Sequence, residues 1–127
     1  MTPEETAWVA GIFEGEGTIR ARGDGYNGAQ IAVRMNDRDV IERLYVVTGI
    51  GNYYVGECNG KPQYTWQVAK AQDICEFLSA VFGHLGARRQ ARAREAINSC
   101  FAMPVMGPLL ARDEELCQRI AALQPAA

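Results

Sequence analysis

The sequence predicts an α+β domain whose elements run helix, then strand-strand-helix twice, with further helices at the end. Two observations predict it. Hydrophobic spacing switches several times between the period of a helix and the period of a strand. Turn residues, among them Gly15-Glu16-Gly17, Gly49 and Asn59-Gly60, fall where the period changes. A length of 127 residues suits one domain, 1–127, with a core over about 3–101 and a helical extension over about 102–124.

Each element has a local cause. Thr2 caps the first helix, Pro3 suits its first position, and Glu5 completes a capping box; the helix is expected to run to about Glu14. Thr18 to Arg22 alternates, as does Gln30 to Met35, and the turn-rich stretch between them predicts a hairpin. Asn36 or Asp37 then caps a helix with Val40, Ile41, Leu44 and Val47 on one face and Gly49 as its stop. A second hairpin joins Asn52–Glu57 to Gln63–Ala69. Ile74, Phe77, Leu78, Val81 and Phe82 mark a third amphipathic helix. Arg88 to Cys100 reads as a fourth, Met103 to Pro108 as a break, and Asp113 to Leu123 as a terminal helix. The strand-strand-helix unit repeats in architecture and not in sequence.

Composition narrows the function classes. Thirteen Lys and Arg against fifteen Asp and Glu exclude a chain coated in positive charge, but leave room for a basic patch on one face. No apolar run approaches the ~20 residues of a membrane span. The acidic start, Met1-Thr2-Pro3-Glu4-Glu5, is no signal peptide. A non-secreted protein is therefore expected, cytoplasmic or organellar, with no membrane partner. Cys58, Cys75, Cys100 and Cys117 are scattered, with only His84 to accompany them, which indicates reduced thiols and neither zinc nor disulfides.

The chemically informative stretch is Trp8-Val-Ala-Gly-Ile-Phe-Glu-Gly-Glu-Gly17. Ala7, Gly11 and Gly15 recur every four residues and make a stripe without bulk, on which a second helix could pack closely. Glycine inside a helix costs about 0.5–1 kcal/mol relative to alanine, so its use here asks for a reason. Glu14 and Glu16 follow at the helix C-terminus, where the macrodipole disfavours negative charge. Read locally, these residues either end a helix in solvent or await a compensating cation.

Val9–Gly17 resembles the LAGLIDADG motif of homing endonucleases, and the element order is similar to that family's single-motif members. Weaker echoes are Ile31–Asp37, Thr48–Gly51 and the pair Arg88-Arg89. The resemblance implies a homing-endonuclease-like core whose antiparallel sheet forms a DNA-binding saddle. It implies a homodimer that crosses at Ala7, Gly11 and Gly15, and cleaves both strands of a long, pseudo-palindromic site. It implies Mg²⁺ as the cofactor, with Mn²⁺ as a substitute, held by Glu16 and the Gly15 carbonyl. Mg²⁺ suits a site of few carboxylates, waters and phosphate oxygens. Glu16 stands where the family has Asp, and Glu14 matches a position that is structural there. Arg88 matches the family's catalytic Lys; it would stabilise phosphate charge without shuttling protons. The family's water-holding Gln falls on Met35, with Asn36 beside it on the other face.

Alternation assigns Arg20, Arg22, Gln30, Arg34, Asn52, Tyr54, Gln63, Thr65 and Gln67 to one sheet face. Such a face is ordinarily just solvated. Under the resemblance it reads bases, since Arg and Gln pair bidentately with guanine and adenine. Arg89, Arg92 and Arg94 join Arg88 as phosphate contacts, and the tip, Arg22 to Asn27, orders against DNA. The alternative function is a nucleic-acid-binding protein of the same type that does not cleave, an RNA maturase or a DNA-binding regulator. An unrelated α+β interaction domain is the third reading.

Overall fold

The first helix begins as its sequence dictates. Thr2 Oγ1 accepts from the Glu5 amide at 3.1 Å while Glu5 Oε1 accepts from the Thr2 amide at 2.8 Å. These bonds hold the Glu5 carboxyl below its ordinary pKa. In the computed structural model, which describes residues 1–23 and 28–125, this helix, α1, spans Pro3–Glu16. It runs one turn fraction beyond the expected end at Glu14, so Gly15 and Glu16 are helical. Gly17, with extended backbone, is the cap, and a side chain there would collide with the Phe13 ring.

Strands β1 (Gly17–Arg20) and β2 (Gln30–Met35) pair antiparallel, with Gly17 opposite Val33 and Arg20 opposite Gln30. β1 is shorter than the alternation suggested: continuous pairing stops at Arg20, Arg22 makes only an isolated bridge, and its amide donates to Ser99 Oγ on a later helix. Helix α2 (Arg38–Thr48) starts at Asp37, whose side chain makes no capping hydrogen bond; Asn36, the other expected cap, donates to the Pro62 carbonyl. It stops at Gly49 in the left-handed region, as expected. β3 (Asn52–Cys58) and β4 (Lys61–Val68) form the second hairpin around Asn59 and Gly60, both at positive φ. Consecutive positive φ values there suit the right-handed twist of paired strands. The sheet order is β1-β2-β4-β3, antiparallel throughout.

Helix α3 (Ala71–Val81) leads through a 3₁₀ turn, Phe82–His84, into α4 (Ala87–Phe101). The stretch expected to be a break contains a short helix, α5 (Met106–Leu110), before α6 (Glu114–Ala121). Asp113 caps α6, accepting from the Leu116 amide at 3.0 Å and from Gln72 at 3.1 Å, which lowers its pKa.

The core lies between one sheet face and the helices. Val9, Phe13, Ile31, Val33, Ile41, Trp66, Ile74 and Leu78 are fully buried. Phe77 bridges it, packing edge-on to Phe13 at 5.2 Å and against Trp66 at 5.2 Å. Through these rings α1 is fixed to α3 and to the middle of the sheet. Cys75 and Cys100 share a hydrogen bond in this core, which, with burial, pushes the Cys75 thiol far above its usual pKa. Among the described residues no helix is long and apolar enough to cross a membrane.

Candidate nucleic-acid interface

The register aligns the polar side chains in rows across the sheet. Thr18, Ala32, Gln67 and Asn52 form one row; Arg34, Thr65 and Tyr54 form the next; Arg20 faces Gln30, and Gln63 faces Gly56. Ile19, Ile31 and Val68 occupy the opposite face with Val33, Trp66 and Tyr53. Arg22 lies beyond the paired register; every other residue assigned to the polar face by alternation lies on it, and among the described residues no Asp or Glu does. Arg20, Arg22, Arg34 and Tyr54 are exposed, whereas Gln30, Gln63 and Gln67 are half-buried. Thr65 is only 9% exposed, so its reach is short. Ala32, too short to project past its neighbours in the row, is buried.

Two members of this face escaped the sequence reading. Thr18 is exposed beside the end of α1, and its hydroxyl donates to the Ala32 carbonyl at 3.4 Å. Lys61, opposite Cys58, adds a cation at the far end of β4. Extending the alternation by one residue pair in each strand would have found both.

Glu16 ends α1 at the head of β1, exposed and without a side-chain hydrogen bond or ion pair among the described residues. Gly15 is exposed beside it, and Arg34 follows the β2 partner of Gly17, at the same end of the sheet. Met35 is on the apolar face opposite Tyr64 and packs against the core. No group of three or more His, Cys, Asp or Glu suited to a metal occurs among the described residues. At the end of α1 the described residues therefore offer one carboxylate without a partner and a neighbouring backbone carbonyl. That donor set fits half of a Mg²⁺ site completed by waters and phosphate, not a closed protein cage.

The arginines of α4 divide. Arg88 is exposed at the rim of a groove of about 480 Å³ between β1 and α4, lined also by Thr18, Ala91 and Arg92. Arg92 pairs with Glu95 at 2.6 Å and remains about a third exposed. Arg94 is directed elsewhere, donating to the Leu123 carbonyl at 2.8 Å with its guanidinium over the Phe82 ring. Arg89, expected to meet phosphate, turns inward: it donates to the Gly17 carbonyl at 2.5 Å and pairs with Glu14 at 3.5 Å. The expected tip, Arg22 to Asn27, lies largely outside the described residues.

Ala7, Gly11 and Gly15 lie along an exposed stripe of α1. A Cβ built on Gly11 or Gly15 meets nothing within 4 Å, so nothing in this chain explains the missing side chains.

Solved structures decide the fold. Homing endonuclease I-CvuI in complex with its target superposes with a TM-score of 0.62 over 98% of this chain and 84% of that one, at 17% identity. The fold is that of the LAGLIDADG homing endonucleases. An archaeal intron-encoded endonuclease complexed with DNA, I-Vdi141I, matches with a TM-score of 0.59 over 100% and 88% of the two chains, at 15% identity. I-CeuI, a group I intron-encoded enzyme also complexed with DNA, matches at 0.61 over 98% and 68%, at 12% identity. No protein-family model and no curated protein matches the chain.

Proposed function

We propose that this chain is a site-specific DNA endonuclease that acts as a homodimer with Mg²⁺, or Mn²⁺ in its stead. The observation that carries the reading is where α1 joins the sheet. Among the described residues the face of Arg, Gln and Thr holds no acid, and Glu16, exposed and without a side-chain partner, stands just before its first strand at the end of the helix whose small-residue stripe is otherwise unused. Base edges in the major groove suit Arg20, Arg22, Arg34 and the glutamines. Phosphates suit Arg88 and Arg92.

Two copies meeting along Ala7, Gly11 and Gly15 would bring two Glu16 carboxylates toward the phosphates of opposite strands. Carboxylates and phosphates repel, so that approach needs divalent cations. Bound by Glu16 and the Gly15 carbonyl, Mg²⁺ would supply an activated water and offset charge on the leaving oxygen. Arg88 would hold phosphate charge without exchanging its own proton. Selection of a preferred site from randomised duplex DNA, then incubation of that site with Mg²⁺ or Mn²⁺, tests the reading. Metal-dependent double-strand cleavage is expected, and intact DNA would overturn it.

A second reading, DNA binding without hydrolysis, is favoured by Met35. Its side chain lies on the apolar face, so the family's water-holding amide has no counterpart there. Binding of the selected site with no cleavage under either metal would establish that reading.

A further inference from the structure

We propose that Arg89 and Glu14 are positioning residues for Glu16, joined in an exchange of charges between two helix ends. The inference rests on the reading of Glu16 as metal ligand, and it removes Arg89 from the phosphate-binding set.

Each helix violates a local rule that the other repairs. The last turn of α1 carries Glu14 and Glu16 and no basic residue, against the negative end of the macrodipole. The first turn of α4 carries Arg88 and Arg89 and no acid, against the positive end, and its cap, Gly86, has no side chain to offer. Arg89 reaches from α4 to the C-terminus of α1, donating to the Gly17 carbonyl at 2.5 Å, one of the carbonyls a helix end leaves without an internal partner. Glu14 reaches the other way. A Cβ at Gly86 would lie 2.9 Å from Glu14 Oε1, so the carboxylate occupies the space at the head of α4 that any other residue would fill.

The exchange is sheltered. The Glu14 side chain is 41% exposed, but its Oε2 is shut off from solvent and has no hydrogen-bond donor among the described residues; its compensation is the Arg89 guanidinium at 3.5 Å. The Arg89 side chain is 19% exposed, too enclosed to track a DNA backbone. Glu16 is two residues beyond Glu14 and next to Gly17, so the two anchored groups bracket it in sequence. Arg89 thus fixes where the last turn of α1 ends, and with it the direction of the Glu16 carboxylate. Residues that orient a metal ligand typically change metal affinity by about 10–100-fold when removed.

The test compares Arg89→Met, Arg89→Lys, Glu14→Gln and the double variant Glu14→Gln/Arg89→Met, which leaves no charge orphaned and so protects against loss of folding. Arg88→Met, which is expected to weaken DNA binding, is the control for amide exchange in the free protein only. On the selected DNA site without metal, Arg89→Met should bind within about twofold of the wild type with an unchanged salt slope. Its half-saturating Mg²⁺ concentration for cleavage should rise about tenfold, with kcat lowered and KM for DNA held. Arg89→Lys should recover part of the loss, having the charge but not the fork. Independently of cleavage, amide exchange at Gly15, Glu16 and Gly17 in the free protein should accelerate in Arg89→Met and in the double variant, but not in Arg88→Met.

Weaker binding to all sequences, a salt slope smaller by about one phosphate, and an unchanged Mg²⁺ requirement would make Arg89 a phosphate contact and overturn the proposal. Unchanged exchange at the end of α1 would overturn it too, even for a wild type that cleaves. If the wild type binds and never cleaves, the exchange experiment alone decides whether Arg89 fixes this helix end.

Discussion

The amide of Arg22 donates to Ser99 Oγ at 3.1 Å, tying the chain just past the first hairpin strand to the last turn of α4. Ser99 in turn donates to the Glu95 carbonyl, so its hydroxyl is spent on both sides. On the far side of the hairpin tip, a Cβ at Gly28 would lie 2.7 Å from Met103 Sδ. Both feet of the hairpin therefore stand on α4 and the segment that follows it. Ser99→Ala should leave a part-buried amide unsatisfied, at about 1–3 kcal/mol. Urea denaturation would measure that loss. Binding to single-base variants of the selected site should lose discrimination at pairs read by Arg22 and keep it at pairs read by Arg34.

Gly11→Leu separates the isolated chain from the dimer. Within one chain the new side chain enters open space. Replacing an exposed helical glycine there should favour the fold by about 0.8–1 kcal/mol. Across a close helix crossing the same side chain overpacks, at about 1–3 kcal/mol for each copy. Light scattering should show the wild type at twice the chain mass and the variant as monomer, with no loss of thermal stability in the monomeric species. A wild type that is monomeric at micromolar concentration would end the proposal of a dimer through this stripe.

Legibility followed the reach of each signal. The faces of β2 and β4 were readable because alternation is local, and Ile31, Val33, Trp66 and Val68 are buried just as their parity demands. The caps at Thr2 and Gly49 were readable for the same reason. The end of β1 was not, since the Arg22 amide is taken by Ser99, seventy-seven residues away. Arg89 misled for a related reason. A run of arginines looks solvated until Gly86 and Glu14, on separate elements, are seen to share one space. The helix over Met106–Leu110 hid behind Pro104, Gly107 and Pro108, residues that ordinarily mark a break. Glu16 was identified from a motif resemblance; its exposure, and its lack of partners among the described residues, are visible only in three dimensions.

Arg20 and Arg34 should behave differently from Arg88. The first two stand on the sheet face, each in a row with a polar neighbour, Gln30 or Thr65. Changing either to Ala should cost about 1–3 kcal/mol on the selected site and relax specificity at one base pair. Arg88→Ala should weaken binding to selected and random DNA alike and reduce the salt slope by about one. Titrations at several salt concentrations on both DNAs check this. Equal losses on both DNAs for all three variants would refute the division into base-reading and phosphate-binding arginines.

Glu16→Gln tests the centre of the proposal, because function and stability should move in opposite directions. Glu16 is the last residue of α1, exposed, with no basic residue in that turn. Its charge opposes the helix dipole there, an effect of about 0.3–1 kcal/mol for exposed groups. Removing the charge should therefore leave the free protein slightly more stable to heat. The amide keeps the size of the side chain but holds a divalent cation poorly, so Mg²⁺-dependent cleavage of the selected site should vanish. Binding in EDTA should hold or strengthen, because a carboxylate facing phosphates has been removed. Glu16→Asp keeps the charge on a shorter arm and should retain metal-dependent cleavage, which a purely structural role for Glu16 would not require. Cleavage by Glu16→Gln at the wild-type rate would exclude Glu16 as the metal ligand, leaving the unpaired carboxylate at the end of α1 without a task.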